Sequence, residues 1–475
     1  MTHAVFPSAI DRELVDVAEY VCNYRVKDEQ AYAFAYRSFI DTLACAFFAA
    51  KNPDCLRVVG PTVPGATLQP GSRVPGTALE LDPVSATFNI GVLTRWLELN
   101  DTFTGATGSH PADNLSGILA VADYLGRTGR KPLLLREVME HLIKAYEIQG
   151  CHAMENECFS IHSSIDHVML TKVATASVVT RMLGGGVDEV ISACSNAWMS
   201  PTLRAYRHAP NVGSRKGWAA ADASSQAVML ALLAMKGEMA YPLVLSAPKF
   251  GFYDGFCGGK RFSFPRAYGE YVIQHVMLKS VPSGMYGQTA VECAIRLHPM
   301  VKDRIEHIRR IDIYTQKSLL GIMSKDGPLK NHADRDHSVQ YIVAIGLLFG
   351  RLTPDDCNDD VAADPRIDVL RGKMFVVEDP EFTRTSADPA ILASGNGIQV
   401  HFTDCTGTPR VDIEFPAGHP SRLQEAAPIF RDKLIRGIET CFTPEQGKRL
   451  LAICDTQSKF EQTTVSELMD AMSLG

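Results

Sequence analysis

No two of the twelve cysteines stand in a Cys-x-x-Cys arrangement. They are scattered singly from Cys22 to Cys454, which weakens zinc-ribbon, thiol-redox and iron–sulfur readings, since those need thiolates gathered at short spacing. Most lie in apolar helical context, as small core residues of a protein in a reducing cytoplasm would. Long apolar runs are missing too. The longest, Ala227 to Met235, has nine residues and ends at Lys236, far short of the roughly 20 that a membrane-spanning helix needs. Nor is there an excess of positive charge: 47 Lys and Arg against 54 Asp and Glu leave a net charge of −7, which argues against nucleic acid as the main partner. Residues 1–8 carry no basic stretch ahead of an apolar core, so no secretory signal is expected. The P-loop, the dinucleotide fingerprint, His-Glu-x-x-His and Gly-x-Ser-x-Gly are all absent; Gly184-Gly185-Gly186 reads as a plain loop.

What is present is the composition of an ordinary globular enzyme, 46% apolar and 21% charged. A chain of 475 residues implies two or three folding units. Apolar residues recur at helical spacing over 12–24, 30–49, 84–99, 113–125, 134–149, 167–183, 187–198 and 219–235, with Gly and Pro at the breaks. Such a run of helices joined by short connections predicts an all-α unit over 1–270. After Tyr271 the texture changes. Residues 308–315, 397–404 and 410–415 alternate apolar and polar side chains as half-buried strands do, with helical stretches at 287–296 and 339–348 between them. This predicts a smaller α+β unit over 271–418, and helical residues 419–475 are expected to complete the first unit or extend the second. The fold class is therefore mainly α, a large helical domain with a smaller α+β lid.

Four segments carry candidate chemistry. In the first, Trp96 to Asn114, an acid (Asp101) and a loop histidine (His110) sit between two helices, which suits a general acid/base pair; Asp113 looks like the N-cap of the second helix. Either residue could instead be a turn cap or a packed side chain. In the second, Arg207 to Asp222, Arg215 and Lys216 open a helix in a glycine-containing loop, a setting that favours carboxylate or phosphate ligands, or simply a basic surface. The third, Lys279 to Ala290, joins the two units and offers Lys279 and Tyr286 either to a cleft or to a hinge. In the fourth, Asn331 to Tyr341, the cluster Asp334-Arg335-Asp336-His337 precedes an apolar helix, as a capped turn or as an anion-ordering site. His167, at another helix start, reads as a ligand, a base, or a capping histidine.

These segments, in this order, together with Glu147-Ile-Gln-Gly-Cys and Val361-Ala-Ala-Asp-Pro-Arg-Ile-Asp, resemble the MmgE/PrpD family over most of the chain. The resemblance implies a helical main domain, an α+β lid, a homodimer and a catalytic cleft between the domains. It also implies a metal-free and cofactor-free elimination of water from 2-methylcitrate, giving 2-methyl-cis-aconitate in propionate breakdown, with citrate as a possible second substrate. Carried over by position, the site acid falls on Glu98 or Asp101, the loop histidine on His110, the basic loop on Arg215 and Lys216, and the interdomain lysine on Lys279. Glu98 stands where relatives are expected to carry Asp, and Tyr286 near a position where many carry His. The resulting expectation is that Asp101, His110, Lys279, Tyr286 and His337 are catalytic. Glu98, His167, Arg215, Lys216, Arg335 and Tyr341 are expected to hold a small tricarboxylate, with no metal. The alternatives are another polycarboxylate lyase or isomerase, such as a cis-aconitate decarboxylase, and a non-catalytic helical binding protein.

Overall fold

The computed structural model describes residues 10–160, 162–207, 212–388, 391 and 393–474. His208, inside the basic loop, lies outside the described residues. The chain is mainly helical and buries its apolar side chains in two large clusters.

The first cluster is centred on helix Val168–Met182, in which every residue but Arg181 is buried. A helix apolar all round must be enclosed, and this one packs against Leu135–Glu155, Val187–Trp198 and Ala219–Ala234. Small residues let the layers close. A Cβ on Gly117, in helix Leu115–Arg127, would stand 2.6 Å from Thr175, and one on Gly91, in helix Pro83–Arg95, would stand 2.8 Å from Ala221. The C-terminal helices Leu423–Cys441, Pro444–Ile453 and Val465–Ala471 return to this cluster, and Leu423–Cys441 lies along Glu29–Ala49.

The second cluster, from Val281 to Ile413, sits on a four-stranded sheet ordered Met374–Glu378, Ile308–Thr315, Asn396–Phe402, Val411–Ile413. The first pair is parallel (Ile311 opposite Met374), and the other pairs are antiparallel (Ile311 opposite Val400, Ile398 opposite Val411). Helices Gln288–Val301 and Val339–Phe349 supply side chains to this core and meet at Gly346, where an added Cβ would stand 2.6 Å from Ala294. Ser338 caps the second of these by accepting from the Tyr341 amide.

Three local expectations need correction. The helix read over 84–99 ends at Arg95, and two residues beyond its cap Glu98 takes a left-handed φ of 52°. Asp113 caps nothing: it lies inside a 3-10 turn, Pro111–Asn114, and it is the Asp101 carboxylate that accepts from the Ala112 amide, at 3.1 Å. The strand Met374–Glu378 carries no apolar–polar alternation in its sequence, because it is an edge strand whose outward-facing residues, Phe375 and Val377, are apolar as well.

Candidate active site

A cavity of about 420 Å³ opens between the helical bundle and the sheet-containing unit. Glu98, His110, His167, Arg204, Arg207 and Lys216 line it from the bundle, and Met285, Tyr286, Met323, Lys325, Asp334 and His337 line it from the other side.

The turn after Arg95 decides where Glu98 points. A left-handed residue other than glycine costs on the order of 1 kcal/mol and persists only where its surroundings hold it. Here the hold is electrostatic. The buried Glu98 carboxylate lies 2.6 Å from Arg95 Nη1, 2.6 Å from Lys279 Nζ and 3.1 Å from Lys216 Nζ. Burial opposes its ionisation, but Arg95, Lys216 and Lys279 together outweigh burial and keep the carboxyl well below its ordinary value. Lys216 comes close because Gly217 lies flat on the Trp96 ring; a Cβ there would stand 2.7 Å from it.

Lys216 also crosses to the other unit. Its Nζ reaches both Asp336 oxygens at 2.9 and 3.0 Å and His337 Nδ1 at 3.0 Å. Asp336, hydrogen-bonded to His337 as well, is fully buried, yet Lys216 and His337 hold it ionised. Burial and the Lys216 cation push His337 down to about 4, against the pull of Asp336.

His110 stands just before the 3-10 turn, with Nδ1 2.6 Å from the Asp101 carbonyl oxygen. A carbonyl only accepts, so Nδ1 carries the proton and the Nε2 lone pair is free. That nitrogen lies 3.6 Å from a Glu98 oxygen. Burial, reinforced by Arg95 and Lys279, holds the imidazole well below its ordinary value, and the ring is neutral. His167 packs edge-on to it at 5.4 Å between ring centres. Its Nδ1 faces Asp166 at 3.3 Å, while Nε2 is buried without a hydrogen-bond partner among the described residues. Burial lowers His167 to about 3, with Arg207 and Arg204 adding to the effect against Asp166.

Of the residues expected from sequence, Glu98, His110, His167, Lys216, Tyr286 and His337 are brought together around the cavity. Lys279 is fully buried behind Glu98. Four others do not reach it. The Asp101 side chain turns to the Ala112 amide and to Ser38, and burial raises it to about 6. Arg215 leaves for Asp222, at 2.8 Å, and lies over the Trp218 ring. Arg335 is satisfied by the Cys357 carbonyl at 2.9 Å and by Asp359 at 2.7 Å. Tyr341 donates its hydroxyl to the Asp356 carbonyl at 2.7 Å.

Arg204, Arg207 and Lys325 line the cavity without having been singled out, and Asp334, read from sequence only as part of a charged cluster, lines it too. Arg207 borders the basic loop and was within reach of sequence reasoning. Arg204 and Lys325 carry no local signal. Arg207 is pinned to Asp166 at 2.6 Å, and Arg204 to the Phe159 carbonyl at 3.0 Å, its Nε without a partner among the described residues. Four cations (Arg204, Arg207, Lys216, Lys325) face two carboxylates (Glu98, Asp334) in the lining. Such a surplus, enclosed at low dielectric, favours a polyanionic ligand. Among the described residues, no group of three or more His, Cys, Asp or Glu is arranged to hold a metal ion.

The MmgE/PrpD N-terminal domain matches residues 15–265 and the MmgE/PrpD C-terminal domain residues 281–458. The chain is 46% identical over 473 residues to a 2-methylcitrate dehydratase of Cupriavidus necator, covering 98% of this chain and 97% of that one. It is 46% identical over 469 residues to a 2-methylcitrate dehydratase of Escherichia coli (strain K12), covering 97% of each. With a mitochondrial 2-methylcitrate dehydratase of Yarrowia lipolytica the identity is 43% over 452 residues, 93% of this chain and 86% of that one.

Proposed function

The chain belongs to the MmgE/PrpD family, and on that premise we propose that it is a hydro-lyase that dehydrates 2-methylcitrate to 2-methyl-cis-aconitate. One observation carries the chemistry: a neutral imidazole, His110, with its Nε2 lone pair free inside a cavity of surplus positive charge. The substrate is a trianion, and Arg204, Arg207, Lys216 and Lys325 are placed to receive its carboxylates. His110 Nε2 then takes the proton from the carbon that bears the methyl group. The C–O bond at the neighbouring carbon breaks, its electrons leaving with the hydroxyl, and the C–H electrons become the double bond. A proton supplied to the hydroxyl lets it depart as water. Tyr286 faces the cavity with a phenol that burial keeps protonated, which supports it as that acid. Glu98 stays ionised beside His110, suited to stabilise the imidazolium that forms. His337, held through Nδ1 by Asp336, is assigned to substrate orientation. Asp101 and Lys279 are positioning residues in this scheme, and Arg215, Arg335 and Tyr341 stand outside it.

We further assign the reaction to propionate catabolism in a reducing cytoplasm, and the active form to a homodimer. Exposed apolar side chains one turn apart on helix Ala219–Ala234, Met229 and Leu233, support the dimer.

Incubation with 2-methylcitrate should raise the ultraviolet absorbance of a conjugated double bond without releasing carbon dioxide, and should do so equally well after exhaustive chelation. Carbon dioxide release from cis-aconitate in its place, or loss of the rate on chelation, would overturn the assignment.

A further inference from the structure

The residues around the cavity come from segments far apart in the chain. Glu98 follows helix Pro83–Arg95, while Lys279 lies in the link between the two cores. Their ion pair at 2.6 Å is therefore only as well aligned as the two backbones that carry it. A third segment holds both backbones. Lys433, in the C-terminal helix Leu423–Cys441, is buried at 3% exposure. Its Nζ donates to the Leu99 carbonyl at 2.9 Å, to the Lys279 carbonyl at 3.1 Å and to Asp41 Oδ1 at 2.7 Å. One ammonium group thus fills all three of its donors, on a residue next to Glu98, on Lys279 itself and on helix Glu29–Ala49.

We propose that Lys433 is a positioning residue for the reaction: it clamps the backbones of Leu99 and Lys279 to each other and so sets the Glu98–Lys279 contact on which the cavity's charge arrangement depends. A merely stabilising role would not need this pattern, because Asp41 alone would neutralise the cation. Two of the three donors go instead to neutral carbonyls that flank the site. Lys433 reaches neither the cavity nor any reacting atom, so it acts wholly through its neighbours. If the clamp is released, Lys279 drifts from Glu98, the carboxylate loses part of the field that keeps it ionised, and the acid limb of the rate profile moves to higher pH.

The inference rests on the dehydratase reading. Failure of that reading would show as absence of 2-methylcitrate dehydration by the unaltered chain, before any variant is made. The informative variant is Asp41→Asn/Lys433→Met, which removes both buried charges together and leaves no ion unpaired. It is expected to keep the native circular dichroism, to lose at least tenfold in kcat with KM within about threefold, and to show an acid limb displaced upward. A lower melting temperature with kcat within twofold and an unmoved acid limb would reduce Lys433 to a structural strap and overturn the proposal. If the double variant melts below the assay temperature, Asp41→Asn alone decides the question. Even a neutral amine keeps two N–H donors for the two carbonyls, so kcat should stay within about twofold; a tenfold loss there would refute the carbonyl clamp.

Discussion

Lys216→Met tests whether the cavity is wired across the two units. The Lys216 ammonium lies 2.9 Å from Asp336 and 3.1 Å from Glu98, all three side chains being almost fully buried. At 2.9 Å and an effective dielectric of about 20, the attraction to one carboxylate is roughly 6 kcal/mol. Desolvating the two ions costs several kcal/mol each, so the intact pair is close to neutral for stability. Breaking it is another matter: removing one partner leaves a buried charge uncompensated and typically costs about 3–5 kcal/mol. Lys216→Met should therefore destabilise the lid by that amount, and Asp336→Asn by somewhat less, since Lys216 keeps Glu98. The double variant should lose no more than Lys216→Met alone, giving a coupling of at least about 2 kcal/mol in urea unfolding of the four proteins. Catalysis separates from stability here. In the proposed scheme the Lys216 ammonium offers the substrate a charge-assisted hydrogen bond of about 1.5–3 kcal/mol, so both variants lacking it should fall roughly tenfold to a hundredfold in kcat/KM. Losses that add within about 0.5 kcal/mol, or a kcat/KM within threefold of the parent, would refute the bridging role.

His110→Gln should lower kcat by about 10²–10⁴-fold at similar KM, the usual range for loss of a general base; Asp101→Asn should keep most of the rate, because an amide oxygen can still accept from the Ala112 amide. Stopped-flow absorbance on the two variants distinguishes the nitrogen that reacts from the acid that only caps a turn. The second expectation concerns pH. Burial raises Asp113 to about 7, above its unfolded value, so its contribution to stability is full below pH 4 and is lost as pH rises through about 7. Asp113→Asn should flatten that part of the stability profile and gain most above pH 7; an unchanged slope between pH 4 and 8 would contradict the assignment.

The helical unit was legible in sequence because its signals are long and periodic, as in 12–24 and 187–198, which differ from the observed Arg12–Asn23 and Val187–Trp198 by at most a residue. What escaped was local and short. Nothing in Trp96-Leu97-Glu98 announces that the helix stops at Arg95, since the apolar pattern runs on; the turn is held by Arg95 itself and by two cations, Lys216 and Lys279, that arrive from elsewhere. The charged cluster 334–337 was legible as a cluster but not in its directions. Consecutive side chains leave a single turn at roughly 100° to one another, so Asp334 and His337 face the cavity while Arg335 goes to Asp359 on the far side. In the same way Lys216 turns inward and Arg215 outward. Residue type and spacing located the segments, and only three-dimensional packing could choose among neighbours within them.

The electrostatics also bear on when the proposed base works. In the empty cavity His110 is held neutral and weakly basic, by burial first and then by Arg95 and Lys279. A proton on it there would be one more cation among cations. Each substrate carboxylate seated about 4 Å away changes that by roughly 4 kcal/mol at an effective dielectric of about 20, and one pKa unit corresponds to about 1.4 kcal/mol. A bound trianion can therefore return the imidazole toward neutral pH, while Glu98 stabilises the imidazolium as it forms. Base strength then depends on occupancy, and the carboxylates remote from the reacting carbon contribute to the chemical step as well as to binding. The surplus of cations serves catalysis in this scheme only because the substrate cancels it: Arg204, Arg207, Lys216 and Lys325 draw the trianion in, while burial, with Arg95 and Lys279, keeps His110 from holding a proton before the substrate arrives.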